Sequence, residues 1–257
     1  MLKELIKKLS TKGRVVILVD EYDKPIINNL QNDEVRDKNR ALLKDIFGVV
    51  KSLDKYIRFT FITGVSKFSQ VSLFSGPNNL TDITMDRRFA TMMGYTDEEL
   101  RDNFEDHVQG VIAHRKKRGI NISPEAVFQE IRYWYNGYRF STKESKVYNP
   151  FSTLLYFNSF EAKSYWYSSG SPSFLIDELK KHRLSMVSLD GTTASAEELM
   201  DNSCRDIDLK ALMYQTGYFT IKGYNEISKQ FLLGLPNEDV RSAFINSLVR
   251  DFAGITP

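Results

Sequence analysis

Residues 14–26 read RVVILVDEYDKPI, and no other stretch constrains the fold as tightly. Five consecutive apolar residues, Val15 to Val19, run directly into Asp20 and Glu21. The apolar residues do not alternate with polar ones. The run therefore predicts a strand over 14–19, covered on both faces, as in a parallel sheet packed between helices. A second run, YIRFTFITG, predicts a strand over 57–62 that ends at Thr63-Gly64. Between the two, DEVRDKNRALLKDIFGVVKSL carries apolar residues at 35, 42, 43, 46, 47, 49 and 50, the pattern of a helix with a charged first half. Strand, helix and strand in this order form a βαβ unit.

Two carboxylates at the carboxyl end of a buried parallel strand suit phosphoryl chemistry. An aspartate there can hold Mg²⁺, usually through water, and a neighbouring glutamate can orient or deprotonate the attacking water. Asp20 and Glu21 have that order. Thr63, at the end of the second strand, is expected at the same sheet edge, where ligands gather in open α/β sheets. The plainer alternative is that the acids are ordinary loop residues and that Thr63 bonds nearby backbone.

The rest of the chain reads as helical with a β-rich end. The start, MLKELIKKLSTKGR, places Leu2, Leu5, Ile6 and Leu9 on one helical face, with Gly13 closing the helix. Thr96 and Glu99 form a capping box that opens a helical stretch to about residue 118. Ser123-Pro124, Asn149-Pro150 and Ser171-Pro172 each pair a capping residue with proline at the first helical position. Asn136-Gly137 predicts a tight turn, and SLFSGPNNLTDIT has loop composition. From Asp208 the pattern runs helix, strand 218–222, a turn at Gly223 to Glu226, strand 229–234, and a helix from Asn237. Helix followed by a two-stranded wing suggests a winged-helix-like module.

Composition excludes several classes. The net charge of +2 over 257 residues gives no electrostatic case for nucleic acid or an anionic membrane. One cysteine, Cys204, and three dispersed histidines offer neither a disulfide framework nor zinc-ligand spacing. No window approaches the roughly 20 apolar residues of a membrane span, and the start lacks the apolar core and cleavage site of a signal peptide. The expected location is cytoplasmic, with no membrane partner.

Several separated blocks together resemble one family. VVILVDEYDKPI, FTFITGVSKFSQVSLFSGPNNLTDIT, YWYNGYRF, YNPFSTLLYF, YWYSSGSPSFLIDEL and the terminal LMYQTGYFTIKG with FLLGLPNEDV are similar, in order, to the bacterial AAA-ATPase-like family. These are P-loop NTPases often joined to a C-terminal PD-(D/E)XK nuclease-like domain. The resemblance implies that Asp20 is the Walker B aspartate and metal ligand, that Glu21 polarises water, and that Thr63 is the sensor-like residue near the terminal phosphate. ATP and Mg²⁺ are the implied cofactors of the complete protein.

One departure matters. The family pattern places a Walker A loop well upstream of the Asp-Glu strand. Here fourteen residues precede that strand and no Gly-Lys dipeptide occurs anywhere in the 257 residues. Taking the strand that feeds Walker A to lie between the other two, we expect its loss to leave the sheet centre unfilled. A fragment of a longer protein is thus favoured over direct pairing of the two strands. The expected fold is α/β: a truncated P-loop NTPase parallel sheet (1–95), a helical lid (96–204) and a winged-helix-like module (205–257). The expected function is that of a piece of an ATP-binding, ATP-hydrolysing protein, inactive alone, with a protein partner or N-terminal segment missing. The alternative is a non-catalytic regulatory or interaction module with a degenerate nucleotide site, in one variant associated with DNA.

Remaining motifs have plainer accounts. HRKKRG (114–119) suits a solvated helix end, and Arg87-Arg88 a surface role more than an arginine finger. The aromatic group Tyr133, Trp134, Tyr135, Tyr138 and Phe140 suits a core more than a base-stacking platform. Glu161-Ala162-Lys163 and Asp208-Leu209-Lys210 are chance matches to half of a nuclease signature. With only Lys222 and Lys229 on the hairpin, the wing is a weak groove reader.

Overall fold

The computed structural model describes residues 1–29, 32–65, 80–166, 190–200 and 208–252. Ser171-Pro172, Cys204, the boundary near 204 and most of the loop after residue 65 lie outside the described residues. In chain order, helix α1 (Leu2–Ser10) precedes strand β1 (Val15–Val19), and helices α2 (Lys24–Ile27) and α3 (Asp33–Ser52) lead to strand β2 (Ile57–Ile62). Helices α4 (Asp97–Asn103), α5 (Glu105–Lys117), α6 (Pro124–Tyr135) and α7 (Pro150–Ser159) follow. Strand β3 (Thr193–Ala194), helices α8 (Ala196–Met200) and α9 (Leu209–Gln215), strands β4 (Thr220–Asn225) and β5 (Gln230–Gly234), and helix α10 (Glu238–Phe252) complete the order. The chain is mixed α/β and divides into two compact units, Met1–Asp82 with Glu197–Thr216 and Ile83–Ala196 with Gly217–Pro257.

In the first unit β1 and β2 pair in parallel, with Val16 opposite Phe59, Leu18 opposite Phe61 and Val19 opposite Ile62. The expected gap between them is absent. Their facing edges hydrogen-bond to each other, so no central strand is wanting between these two. The expectation of burial on both faces also fails. Val15, Ile17 and Val19 are half-buried, while Val16 and Leu18 are 51% and 70% exposed, and Phe59 is 54% exposed. The unbroken apolar run reports a capacity for burial, but α1 packs on α3 and along β1 and leaves this face uncovered. Helix α1 likewise buries Ile6 and leaves Leu2, Leu5 and Leu9 in solvent. Helix α3 starts where the Asn32 side chain accepts the Val35 N–H at 3.1 Å, and its Phe47 ring meets the edge of Tyr22.

The second unit holds a dense aromatic core. Leu100, Val108, Val111, Val127, Ile131, Tyr135, Tyr148 and Tyr156 are inaccessible and form one cluster. The capping box is present: Thr96 and Glu99 exchange backbone and side-chain hydrogen bonds. Ser123 and Asn149 cap α6 and α7 ahead of proline. The single helix expected to residue 118 is broken at Phe104, whose backbone leaves helical geometry while its ring packs on Tyr95 and Phe157 at 5.1 and 5.3 Å. Of the aromatic group, Tyr135 and Tyr138 are buried, and Tyr133 points outward to Glu238. At Asn136-Gly137 the glycine takes φ +123° with the Pro236 carbonyl where a side chain would begin.

Strands β3, β5 and β4 form an antiparallel sheet in that order. The hairpin turn lies at 226–229, not at Gly223 to Glu226. Asn225 accepts the N–H groups of Ile227 and Ser228, and Lys229 adopts φ +55°. Gly223 sits within β4 at a shift of register. Helix α10 packs on α6. Its buried Asp239 accepts the backbone N–H groups of Tyr165 and Trp166 at 2.7 and 2.9 Å, clamping that segment.

One polar network ties α4, α6 and Tyr148 together. Asp97 accepts from the Tyr148 hydroxyl at 2.6 Å and from Arg132 at 2.5 Å, and Arg101 reaches both Asp97 and Glu125. Burial opposes ionisation of Asp97, but the hydrogen bonds from Arg132, Tyr148 and Arg101 outweigh it and hold the carboxyl at about 2, against an ordinary 3.8. A depressed folded-state value means that the stability it supplies is complete above about pH 4 and drains away as the pH falls through about 2. Asp97→Asn should therefore flatten the acid limb of a stability–pH curve measured by urea unfolding and leave a deficit at neutral pH. On the uncovered sheet face, Leu18→Ser should change unfolding free energy by about 0.5 kcal/mol or less and lower the binding of an apolar dye. A loss of core size, about 2–5 kcal/mol, would show that Leu18 is covered.

Candidate functional site

Parallel pairing brings the carboxyl ends of β1 and β2 to one edge of the sheet, and the chain continues the ladder beyond both strands. The Thr63 N–H donates to the Val19 carbonyl at 2.8 Å, and the Tyr22 N–H donates to the Thr63 carbonyl at 3.0 Å. These bonds fix Asp20 opposite Thr63. The Thr63 hydroxyl donates to Asp20 Oδ1, which also accepts the Glu21 N–H at 3.0 Å. Asp20 Oδ2 makes no hydrogen bond among the described residues and lies on an exposed side chain. The structure thus brings Asp20 and Thr63 into contact.

Glu21 is reached by a sharp reversal. Its φ is +52°, in the left-handed region that non-glycine residues seldom occupy. In that conformation its carboxylate meets Lys24, whose Nζ lies 2.6 Å from Glu21 Oε2. The hydrogen bond and the charge of Glu21 raise the pKa of Lys24, and the charge of Asp20 adds to the effect. Both partners are more than half exposed, so the pair is a modest contributor to stability.

Beneath this surface the loop is anchored. Tyr22 and Asp23 are buried, and Asp23 Oδ1 accepts the Val65 N–H at 3.1 Å. Gly64 lies against them: a side chain there would begin 2.5 Å from the Tyr22 ring and 2.8 Å from Asp23 Oδ1. Sequence reasoning passed over Tyr22, Asp23, Lys24 and Gly64. The available signal was a Thr-Gly step directly after a strand, together with a second aspartate three residues beyond the first.

Tested against a metal and a nucleotide, the site fits in part. Asp20 offers one carboxylate oxygen without a partner among the described residues, which suits a magnesium ion that keeps most of its waters. No group of three or more His, Cys, Asp or Glu among the described residues would hold a metal unaided. The other sequence candidates have partners of their own. Arg88 is bound to Asp86 at 2.6 Å, Lys163 pairs with Glu161, and Asp208 caps α9. No described helix is long and apolar enough to cross a membrane.

Comparison with known proteins gives two matches. A family model described as "Predicted AAA-ATPase" matches residues 1–74, the part that contains β1, β2 and the acidic loop. Over 250 residues the chain is 38% identical to a protein of Azotobacter chroococcum mcd 1 described as an uncharacterized protein in the vnfD 5' region. The match covers 96% of this chain and 45% of that relative. This chain therefore spans less than half of the relative's length. No solved structure matches.

The packing at Gly64 yields an expected outcome. Gly64→Ala forces its Cβ into the Tyr22 ring and the Asp23 carboxylate, and should destabilise the chain by about 1–3 kcal/mol in urea unfolding. Wild-type stability in this variant would show that the loop is looser than described.

Proposed function

We propose that this chain, which through residues 1–74 belongs to the AAA-ATPase-like family, carries the magnesium- and water-handling side of an ATP-hydrolysing site. Nucleotide binding in general is what that family membership suggests. The commitment to ATP, Mg²⁺ and hydrolysis rests on one observation: the Asp20 carboxylate and the Thr63 hydroxyl meet across the ends of two parallel strands, with Glu21 adjacent.

Each residue has a distinct task in this proposal. Asp20 would hold Mg²⁺ while Thr63 keeps its carboxylate in place through the bond to Oδ1. Glu21 accepts a proton from water once its carboxylate leaves Lys24. The Thr63 hydroxyl marks the position of the terminal phosphate. Bound magnesium would supply charge neutralisation for the phosphate oxygens. The phosphate-holding loop, of the form Gly-x-x-x-x-Gly-Lys-Ser/Thr, has no counterpart in these 257 residues and would come from polypeptide outside them. Residues 96–204 would act as a helical lid. Residues 205–257 would form a winged-helix-like module, a reading supported by the succession of α9 and the β4–β5 hairpin. The uncovered apolar sheet face favours a second reading, a non-catalytic interaction module.

Residues 1–257 alone should show no Glu21-dependent ATP turnover. In a longer natural protein that carries the phosphate loop, Glu21→Gln should lower turnover by about 10²–10⁴-fold, measured by phosphate release, and Asp20→Asn should weaken the Mg²⁺ dependence. Wild-type turnover in Glu21→Gln would sink the catalytic proposal and leave the interaction module.

A further inference from the structure

Lys24 has no task in the chemistry above, yet it is the group that touches the proposed base. Its ammonium lies 2.6 Å from Glu21 Oε2 and is near enough for Asp20 to act on it as well. It opens the short helix α2, in the segment that begins with the buried Asp23. A second anchor is the backbone: the Lys24 N–H donates to the Glu21 carbonyl at 3.1 Å. The loop that bends Glu21 into φ +52° therefore also fixes where the ammonium can reach.

From this geometry we infer that Lys24 is a tethered counter-ion of the acidic pair, whose release from Glu21 an arriving divalent cation favours. The inference rests on the reading of Asp20 as a metal-holding carboxylate. Among the described residues Asp20 Oδ2 has no hydrogen-bond partner, so a cation can approach it directly. The ammonium is held by Glu21, one residue away. A cation at Asp20 and the ammonium at Glu21 repel each other through solvent-screened space. Arrival of the cation thus favours release of Lys24 from Glu21, and that release exposes the carboxylate oxygen that must accept a proton. While the ion pair is closed, Glu21 is engaged and the site carries one less negative charge. Lys24 is in this sense a positioning residue: it acts through Glu21, and it couples availability of the base to arrival of the metal.

The groups facing Lys24 are few. Among the described residues Glu21 is its one ion-pair partner, and Asp20 is the further charge acting on it. With the lysine side chain 60% exposed, truncation leaves no cavity, so substitutions there test charge and not packing.

The experiment uses Mn²⁺ as the probe and the 257-residue chain, with cation binding read from water-proton relaxation and folding checked by circular dichroism. Without phosphate oxygens to share the ion, wild-type binding should be weak, in the roughly millimolar range. Lys24→Gln should tighten it about 3- to 10-fold, Lys24→Arg should leave it at the wild-type value, and Asp20→Asn should abolish it in either background. Asp20-dependent binding that Lys24→Gln leaves unchanged would overturn the counter-ion role and spare the metal reading. Equal tightening by Lys24→Arg would also overturn it, since charge would then not be the cause. Absence of Asp20-dependent binding in every variant would overturn the metal reading together with this inference.

Discussion

Two neighbouring strands that run in the same direction cannot be joined by a hairpin; the chain must cross over through about a dozen residues or more. That constraint organises the first unit. The crossover is α2 and α3, anchored by the Tyr22–Phe47 ring contact and the Asn32 cap. Its return delivers Thr63 to the same edge as Asp20. Had the strands run antiparallel, the two residues would lie at opposite ends of the sheet. The hydrogen bond between them follows from topology, and the ladder bonds at Val19 and Tyr22 then hold it in register.

The two units treat charge differently. In the second, Asp97 is surrounded by Arg132, Arg101 and Tyr148, and Asp239 is buried with its Oδ1 accepting the N–H groups of Tyr165 and Trp166. Such carboxylates serve structure, tied to neighbouring side chains or backbone. In the acidic loop of the first unit, Asp20 keeps an oxygen open to solvent, and Glu21 is held by a lysine that water and ions can reach. A carboxylate that stabilises a fold and one that is available for chemistry differ in this respect. The buried Asp23 beside them belongs to the first kind, since it accepts the Val65 N–H.

What the sequence made legible was local. Thr96 with Glu99, Ser123-Pro124 and Asn149-Pro150 mark helix starts because capping is settled within one turn of chain. The two parallel strands were likewise readable from composition, down to the limits of β2. The uncovered face of β1 was not, because five apolar residues in a row look alike whether a neighbour lies over them or not. The break at Phe104 depends on rings from Tyr95 and Phe157, one of them more than fifty residues away. The hairpin turn was misplaced because glycine at 223 is a stronger turn signal than Asn225, whose side chain does the bending. At the site, the meeting of Asp20 and Thr63 followed from the βαβ pattern. The ion pair to Lys24 and the tight fit of Gly64 required the loop's backbone to be known, above all the left-handed Glu21.

The bare flank formed by Val16, Leu18 and Phe59 has a consequence for handling the protein. Apolar strand surface, in a sheet that no further described strand joins, is a template for sticking to other chains once local opening occurs. Heating these 257 residues is then expected to end in clumping faster than refolding. Apparent melting temperatures would shift with scan rate and concentration, and survival at a given temperature would be governed by an escape rate rather than by an equilibrium.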